Sequence, residues 1–501
     1  MSYLVIDVGT SGCRAAVVSD KGEIVAQSRG QIRVDHPQPS FAEMDTDRLW
    51  QEVCEVIGAV IEKRPGVTFD AVGVSAMLGY VFLDKSGSPL MPAIVYADNR
   101  ATAEMEEIRR IFSEERFFAI TGRRSSPLLL APKVMWLTKH RPAVAQKLSH
   151  IIGLKDDIVR RLTGEIRTDV AHLDYSGLYN VYKGNLEADI LDALDIKKTL
   201  FADAAPATTV AGAVTAEAAG QSGLLAGTPV ITGSSDGTTA MYGAGVLDEG
   251  SAVLVSGTTD VLMMCSAMVP ADPCHALSIN SGMLPETYLV GGPLGLSGGV
   301  LQYFEQLLQT SVTELEESIA VLPPGSNGLL VLPGLTGERS PYWQEYLRGG
   351  IIGLTPQHKR RHLLRAVMEG CALRVLKLLA ILSQNRLYPK NLNIVGGGAN
   401  IDVWNQIRSD VSGLEVQKLA TTEATCLGTA IFCKAGLDQT QSLQEVSCEW
   451  IKAAKRFTPD PERTRKYKKL ARLFEDYIEA TSDLYQGLNE FKQQVKTDKT
   501  P

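Results

Sequence analysis

The sequence predicts an α/β protein built from two similar domains. Strand-like and helix-like apolar patterns alternate along its 501 residues, a length that fits two large domains. The run SAVLVSGTTDVLMMC echoes YLVIDVGTSGCRAAV near the start of the chain, and the echo aligns residues 256–259 with 8–11. In each run an apolar strand reaches a Gly-Thr turn before a second strand leaves. The predicted divisions are a first domain over 1–246, a second over 247–440, and C-terminal helices with a tail over 441–501.

The first half of the chain begins with three predicted strands, YLVID, CRAAVVS and EIVAQSRG, which are joined by tight turns. A helix is predicted over 45–63, because its apolar residues recur at helical spacing. FDAVGVSA then predicts another strand, and the alanine-rich segment 211–227 predicts a helix. The buried strand TPVITGS follows and leads directly into GSSDGTTAMYGAG.

The second half contains one long predicted helix, HKRRHLLRAVMEGCALRVLKLLAILSQN. A strand and turn, NLNIVGGGAN, come next, and a further helix begins near residue 401. Residues 460–488 predict a charged amphipathic helix on the surface.

Composition excludes several classes of function. The chain is 45% hydrophobic and 21% charged, with a formal net charge of -7, so no nucleic-acid or anionic-membrane partner is expected. No apolar run reaches transmembrane length, and the N-terminus lacks the pattern of a signal peptide. The eight cysteines form no C-x-x-C pair, which predicts reduced thiols in a cytoplasmic protein.

Two Gly-Thr turns are candidate phosphate-binding sites. In IDVGTSG, Gly9, Thr10 and Ser11 follow a strand that ends near Asp7, whose carboxylate is a suitable Mg²⁺ ligand. In VSGTTD the corresponding residues are 257–259. Either turn alone is equally typical of a simple hairpin, and Arg14 after the first fits a phosphate contact or a solvent-facing position. Because each turn opens a domain, the pair predicts a polyphosphate clamped by both.

A third turn, in IVGGGANIDVWNQIRSD, joins a strand to a helix through three glycines. A planar group can lie against such backbone, and the following helix N-terminus suits an anion. The pattern is not G-x-G-x-x-G, so it does not indicate a dinucleotide fold. In isolation it also fits a tight strand-to-helix connection.

Asp236 is an isolated acid among small neutral residues in GSSDGTTAMYGAG. Phosphoryl transfer needs a carboxylate that accepts the proton of the attacking hydroxyl, and small neighbours leave room for substrate and phosphate. The alternative is an aspartate that caps the helix after it.

Together these segments resemble the FGGY family of carbohydrate kinases, two-domain relatives of hexokinase and actin, along almost the whole chain. The matching segments are IDVGTSGCRAAV, FAEMDTDRLW, AIVYADNRA, IVRRLTGEIRTDVAHLDYSGLYN, GSSDGTTAMYGAG, LPGLTGERSPYW, GGIIGL, HLLRAVMEG, IVGGGANIDVWNQIRSDV and TTEATCLGTA. The resemblance implies two ribonuclease H-like domains of the actin and hexokinase type around an interdomain cleft. It also implies ATP and Mg²⁺ as cofactors and a homodimer.

The resemblance assigns the site residues as follows. Asp236 is the expected catalytic base and, with Asp7, the expected metal ligand. The expected nucleotide-binding residues are Gly9, Thr10, Ser11, Arg14, Gly257, Thr258, Thr259, Gly299, Gly397, Gly398, Ala399 and Asn400. The expected substrate-binding residues are Met77, Tyr96, Asp98, Arg100 and Asp236. Core packing is an alternative for Tyr96, and a surface ion pair is an alternative for Arg100.

Departures from the family pattern concern the sugar. Many xylulokinases carry Gln-Met-His-Gly where this chain has residues 76–79, so Leu78 removes a hydrogen-bonding side chain. The adjacent Arg-Glu pair of glycerol kinases is absent, which argues against glycerol. Tyr96 replaces the usual Trp, and Arg14 replaces a frequent Lys.

The predicted function is ATP-dependent phosphorylation of a small sugar hydroxyl, with xylulose or a related ketose as substrate. The alternatives within the class are a gluconate-type or an autoinducer-2-type kinase. Outside it, the alternatives are a non-catalytic sugar or nucleotide sensor on the same fold and an actin- or chaperone-like ATPase.

Overall fold

The computed structural model describes residues 1–10, 12–272, 274–438 and 440–497. Its strands are β1 (Ser2–Val8), β2 (Cys13–Ser19), β3 (Ile24–Gly30), β4 (Glu43–Met44), β5 (Ala71–Ala76), β6 (Gly79–Leu83), β7 (Ala93–Val95), β8 (His150–Gly153), β9 (Thr168–Asp169), β10 (Tyr179–Asn180), β11 (Asn185–Leu186), β12 (Ala204–Ala205), β13 (Val210–Ala213), β14 (Pro229–Ser235), β15 (Ala252–Ser256), β16 (Thr259–Ser266), β17 (Ser278–Ser281), β18 (Tyr288–Leu296), β19 (Leu330–Leu332), β20 (Gly350–Ile352), β21 (Leu392–Val395), β22 (Val416–Leu419) and β23 (Ala453–Phe457).

The helices are α1 (Thr46–Lys63), α2 (Thr102–Ile111), α3 (Glu114–Thr121), α4 (Leu130–His140), α5 (Pro142–Ala145), α6 (Leu154–Thr163), α7 (Val170–Asp174), α8 (Ala188–Ala193), α9 (Ala216–Ser222), α10 (Asp236–Gly243), α11 (Gly298–Leu308), α12 (Val312–Ala320), α13 (Arg360–Gln384), α14 (Asp402–Ser412), α15 (Ala424–Leu437), α16 (Leu443–Trp450) and α17 (Pro461–Thr497). Single turns of 3₁₀-helix cover Lys198–Leu200 and Gly397–Asn400.

The chain divides into two compact units. The first comprises residues 1–243, 279–288 and 423–451, and the second comprises 244–278, 289–422 and 452–501. Two later segments thus pack with the first unit although they follow the start of the second in sequence. The division into contiguous domains at 1–246, 247–440 and 441–501 stays a prediction.

The first unit is built on a six-stranded sheet in the order β13-β14-β5-β1-β2-β3. Strand β1 pairs antiparallel with β2 and parallel with β5, and β5 pairs parallel with β14. Four consecutive residues of β1, 3–6, are buried, as expected for a strand covered on both faces. A second, four-stranded sheet has the order β4-β7-β6-β8.

The main sheet of the second unit repeats this arrangement through the strand order β18-β16-β15-β21-β22-β23. Strand β15 pairs antiparallel with β16 and parallel with β21, as β1 does with β2 and β5. The sequence echo between residues 8–11 and 256–259 therefore marks the same hairpin turn in two similarly built sheets, and the predicted two-domain α/β fold is confirmed.

The predicted helix over 45–63 is confirmed as α1, which begins where the Asp45 side chain accepts hydrogen bonds from the N–H groups of Asp47 and Arg48. The predicted single helix over 211–227 is wrong. Its first part is strand β13, because that segment pairs antiparallel with the edge of β14, and α9 occupies only the middle.

Helix α15 packs against α10 and the main sheet of the first unit. A side chain at Gly73 on β5 would lie 2.6 Å from both Cys433 Sγ and Thr429 Cγ2 of α15, so glycine is what allows the helix to approach. In the second unit, Tyr467 and Phe474 of the charged helix α17 are buried in a core shared with α13. No helix in the described part of the chain is both long enough and apolar enough to cross a membrane.

Candidate active site

Two carboxylates lie at one edge of the main sheet in the first unit. Asp7 is the penultimate residue of β1, and Asp236 directly follows β14 as the first residue of α10. Strands β1, β5 and β14 are parallel, with Asp7 opposite Ser75 and Ser75 opposite Ser234. Because the carboxyl ends of parallel strands share an edge, the topology brings Asp7 and Asp236 together.

The two carboxylates affect each other's protonation. Burial, followed by the charge of Asp236, raises the pKa of Asp7 to about 7, and Arg14 opposes this shift. Burial also raises the pKa of Asp236, against the opposing effects of the Gly237 N–H and the charge of His172. Both aspartates are only partly buried. Neighbouring like charges with accessible oxygens suit a divalent cation, so the pair fits Mg²⁺.

The cap of α10 comes from a residue other than Asp236. Ser235 Oγ accepts a hydrogen bond from the Thr238 N–H at 3.4 Å and donates one to Thr238 Oγ1 at 2.9 Å. Asp236 accepts a hydrogen bond from the N–H of the adjacent Gly237 at 2.6 Å. The capping position therefore belongs to Ser235, and the second oxygen of Asp236 is available for other chemistry.

The first Gly-Thr turn lies at the same sheet edge, between β1 and β2. The Gly9 N–H donates to Gly12 O at 3.0 Å, and Thr10 is exposed. A side chain at Gly12 would lie 2.7 Å from the carbonyl oxygen of Gly30 at the end of β3, so glycine is required where the turn approaches β3. Ser11, the third predicted phosphate contact of this turn, lies outside the described residues.

Arg14 lies opposite Asp7 in the β1–β2 pair. Its guanidinium pairs with Glu423 and lies 3.7 Å from Cys426 Sγ. Glu423 also pairs with Arg29 at 2.9 Å. The predicted phosphate-binding arginine is thus held by a carboxylate from the segment TTEATCLGTA, and no role for Glu423 was predicted from the sequence.

Two of the predicted substrate residues lie next to this edge. The Met77 N–H donates to Val8 O at 2.7 Å, and the Met77 side chain is buried. The Tyr96 N–H donates to Leu78 O at 2.9 Å, and Tyr96 is 43% exposed. Core packing therefore does not explain Tyr96, which is accessible to a ligand.

Asp98 and Arg100 form a buried pair. Asp98 is completely buried and accepts hydrogen bonds from the Ala42 N–H at 2.6 Å and from the Arg100 guanidinium at 2.7 Å. Arg100 also pairs with Glu43 and stacks over the Phe41 ring at 3.8 Å. Arg100 is therefore not a surface ion pair, and contact of Asp98 with a sugar stays a prediction.

The second Gly-Thr turn follows β15 in the second unit and rests on the start of α11. The Gly298 N–H donates to Gly257 O at 3.1 Å, and the Gly299 N–H donates to Thr258 O at 3.0 Å. A side chain at Gly298 would lie 2.4 Å from Gly257 O, so only glycine allows this contact. Thr258 and Thr259 remain exposed.

The third turn packs over Ser256, the residue before Gly257. Gly396 has a φ of +89°, and a side chain there would lie 2.5 Å from Ser256 O. Gly398 approaches Ser256 equally closely, whereas a side chain at Gly397 would project into open space. Arg408 donates hydrogen bonds to Ser256 Oγ at 2.5 Å and Gly398 O at 3.2 Å.

The two predicted nucleotide segments of the second unit therefore meet at one point. Ala399 is buried and Asn400 is exposed next to the open position at Gly397. This glycine-lined, partly open surface fits a flat group beside phosphates. The buried Arg408 was not predicted, although its position in IVGGGANIDVWNQIRSDV could have indicated it.

Comparison with known protein families gives a match for each half of the chain. Residues 2–243 match the N-terminal domain of the FGGY family of carbohydrate kinases, and residues 252–436 match its C-terminal domain. The chain therefore belongs to the FGGY family of carbohydrate kinases. It is a sugar phosphotransferase, with the two-domain α/β fold of the actin and hexokinase type.

Individual relatives cover almost the whole chain. It is 26% identical to a xylulose kinase of Bacillus subtilis in an alignment 500 residues long that covers 98% of this chain and 100% of that protein. It is also 26% identical to a gluconokinase of the same organism over 518 residues, with 99% and 100% coverage. The solved structure of xylulose kinase from Rhodospirillum rubrum superposes with a TM-score of 0.89 at 28% identity, over 97% of this chain and 100% of that one.

Proposed function

We propose that this kinase transfers the γ-phosphoryl group of ATP to a hydroxyl of a small ketose such as xylulose, with Asp236 as the base. The observation that supports this most directly is the pair Asp7 and Asp236 at one sheet edge, with Ser235 rather than Asp236 capping α10. Met77 and Tyr96 border this edge and are the proposed sugar contacts.

The proposed reaction uses Asp236 as proton acceptor. The substrate hydroxyl gives its proton to Asp236 while its oxygen forms a bond to the γ-phosphorus of ATP. The bond between that phosphorus and the bridging oxygen breaks, and ADP leaves. A Mg²⁺ ion held by Asp7 and Asp236 would neutralise charge on the phosphates.

The nucleotide contacts are proposed for both Gly-Thr turns. Backbone N–H groups and hydroxyls at Gly9 and Thr10, and at residues 257–259, suit phosphate oxygens. The open surface at Gly397 suits the adenosine. When the nucleotide is bound, Arg14 would contact a phosphate oxygen in place of Glu423.

A ketose is favoured over gluconate on the sequence resemblance, although the named relatives include both xylulose kinases and gluconokinases at 26% identity. The carboxylate of gluconate is best recognised by a cation, and position 78 is an apolar leucine. Arg100, the cation among the predicted substrate-binding residues, is already paired with Asp98 and Glu43. A cytoplasmic location and a homodimer remain predictions.

The test is an ADP-release assay with ATP and Mg²⁺ over a panel of D-xylulose, D-ribulose, D-fructose, glycerol and D-gluconate. The proposal expects the largest kcat/KM with a ketose. A largest value with D-gluconate would overturn the ketose assignment, and ADP release that no sugar accelerates would overturn the reaction itself.

A further inference from the structure

The register between β14 and β5 shifts just before β14 ends and Asp236 begins α10. Ile231 lies opposite Gly73 of β5, and Ser234 lies opposite Ser75, so β14 holds one more residue than its partner over this interval. Gly233 lies within the bulge with a φ of +66°, and a side chain there would lie 1.8 Å from Val74 O. Bulges of this kind re-aim the residues that follow them.

Two buried side chains hold the bulge. Lys155 Nζ donates a hydrogen bond to Thr232 O at 2.8 Å, and Ser234 Oγ donates one to Asp169 Oδ2 at 2.6 Å. Lys155 is completely buried, and Asp169 is almost so. The carbonyl on one side of Gly233 and the hydroxyl on the other are therefore both fixed by charged groups from neighbouring elements.

Lys155 and Asp169 also belong to a buried ionic network with Asp156 and His172. Lys155 Nζ lies 2.5 Å from Asp156 Oδ1 and 3.5 Å from Asp169 Oδ1, and His172 Nδ1 lies 2.7 Å from Asp169 Oδ1. Burial opposes ionisation of Asp169, but Lys155, His172 and the Ser234 hydroxyl outweigh it and hold its pKa well below the usual range.

This network is not a metal site. Asp156, Asp169 and His172 have ligand atoms within 4.8 Å of one another, as a metal centre would require. The ammonium group of Lys155, however, already occupies the position of a cation between the two carboxylates. The network also holds β14 through the Thr232 carbonyl and the Ser234 hydroxyl, which points to a structural use for its charge.

We propose that Lys155 and Asp169 are positioning residues, which fix the β14 bulge and so orient the carboxylate of Asp236. The inference rests on the proposed role of Asp236 as the base. A buried ion pair contributes little net stability, because desolvation offsets its attraction. Its rigid geometry, by contrast, directly determines the backbone on both sides of Gly233, two to four residues before α10 leaves the sheet.

The test replaces Ser234 by Ala in the full chain. This substitution removes a single buried hydroxyl and, with it, the hydrogen bond to Asp169. The matched control is Ser75→Ala, on the neighbouring strand in register with Ser234. Its hydroxyl is equally buried and has no hydrogen-bond partner among the described residues.

The readouts are kcat, KM for ATP, KM for the best sugar of the panel, and the thermal midpoint. We expect Ser234→Ala to lower kcat about tenfold or more relative to Ser75→Ala, since misplacement of a catalytic group by about 1 Å can cost about 10²-fold. Both KM values should stay within about twofold, because the transition state rather than binding is affected. A kcat equal to that of Ser75→Ala would overturn the proposal.

A double variant separates positioning from a general effect. In an Asp236→Asn background the further change Ser234→Ala should leave the residual rate unchanged, because the group it orients is gone. A tenfold fall in that background would overturn the proposal. Near-normal turnover of Asp236→Asn alone would overturn the proposed function, whereas an inactive Asp236→Asn with a normal Ser234→Ala overturns only the positioning role.

Discussion

The contact between α10 and α15 predicts that Gly428→Ala impairs both stability and turnover. A Cβ at Gly428 would lie 2.2 Å from Thr239 O and 2.9 Å from Gly243 N, and both atoms belong to the backbone of α10. An ordinary contact begins at 3.4 Å, so the backbones of α10 and α15 have to separate by about 1.2 Å at this contact, the difference between these distances. Thr239 is three residues after Asp236 on the same short helix.

The size of the effect follows from this displacement. Overpacking of a well-packed contact costs about 1–3 kcal/mol, and the gain of up to about 1 kcal/mol from replacing a helical glycine offsets part of it. A shift of about 1 Å in a catalytic group can lower the rate about 10²-fold. We therefore expect a lower urea midpoint and a kcat reduced at least tenfold.

The matched control is Gly58→Ala in the interior of α1, where a Cβ would meet no atom within 4 Å. This variant gains helix propensity without a clash and should be stabilised by about 0.5–1 kcal/mol with unchanged kcat. Urea unfolding followed by circular dichroism, together with the ADP-release assay, measures both variants. If Gly428→Ala matches Gly58→Ala in midpoint and kcat, the close approach of α10 and α15 is refuted.

The other predictions concern two buried charged groups, Lys133 and Asp98. Burial lowers the pKa of Lys133 from 10.5 to about 7, with Asp98 opposing the shift and Arg100 adding to it. Above pH 7 the unfolded chain therefore binds more protons than the folded chain. The unfolding free energy of the wild type, measured by urea titration relative to Lys133→Met, should rise by up to about 1.4 kcal/mol per pH unit from pH 7 to 10. A difference between the two proteins that does not change with pH would contradict this. Asp98→Asn breaks the buried pair with Arg100 and should cost about 3–5 kcal/mol, seen as a lower thermal midpoint. An unchanged midpoint with a raised KM for the sugar would instead support contact between Asp98 and the substrate.

The parts of the fold that sequence reasoning predicted depend on local patterns. The apolar run of β1, the capping Asp45 of α1 and the two Gly-Thr turns each lie within a few consecutive residues. The segment 211–227 misled because its alanines favour a helix, whereas β13 is determined by pairing with β14, a contact between separate segments.

The parts of the site that were not predicted also depend on contacts between residues far apart in the sequence. Arg14 and Glu423 meet although 409 residues separate them, and Lys155 reaches Thr232 across 77. No local pattern specifies such pairs. A second limit is burial: Asp98 has the residue type of a sugar ligand, yet its carboxylate is enclosed by Ala42 and Arg100.

The most direct measurement is turnover and ATP affinity of Asp236→Asn, compared with the exposed control Asp192→Asn on α8. If Asp236 accepts the proton of the sugar hydroxyl, kcat should fall by about 10²–10⁴-fold, while the Kd for ATP from calorimetry stays within about threefold of the control. Turnover of Asp236→Asn close to that of Asp192→Asn would contradict the proposed mechanism.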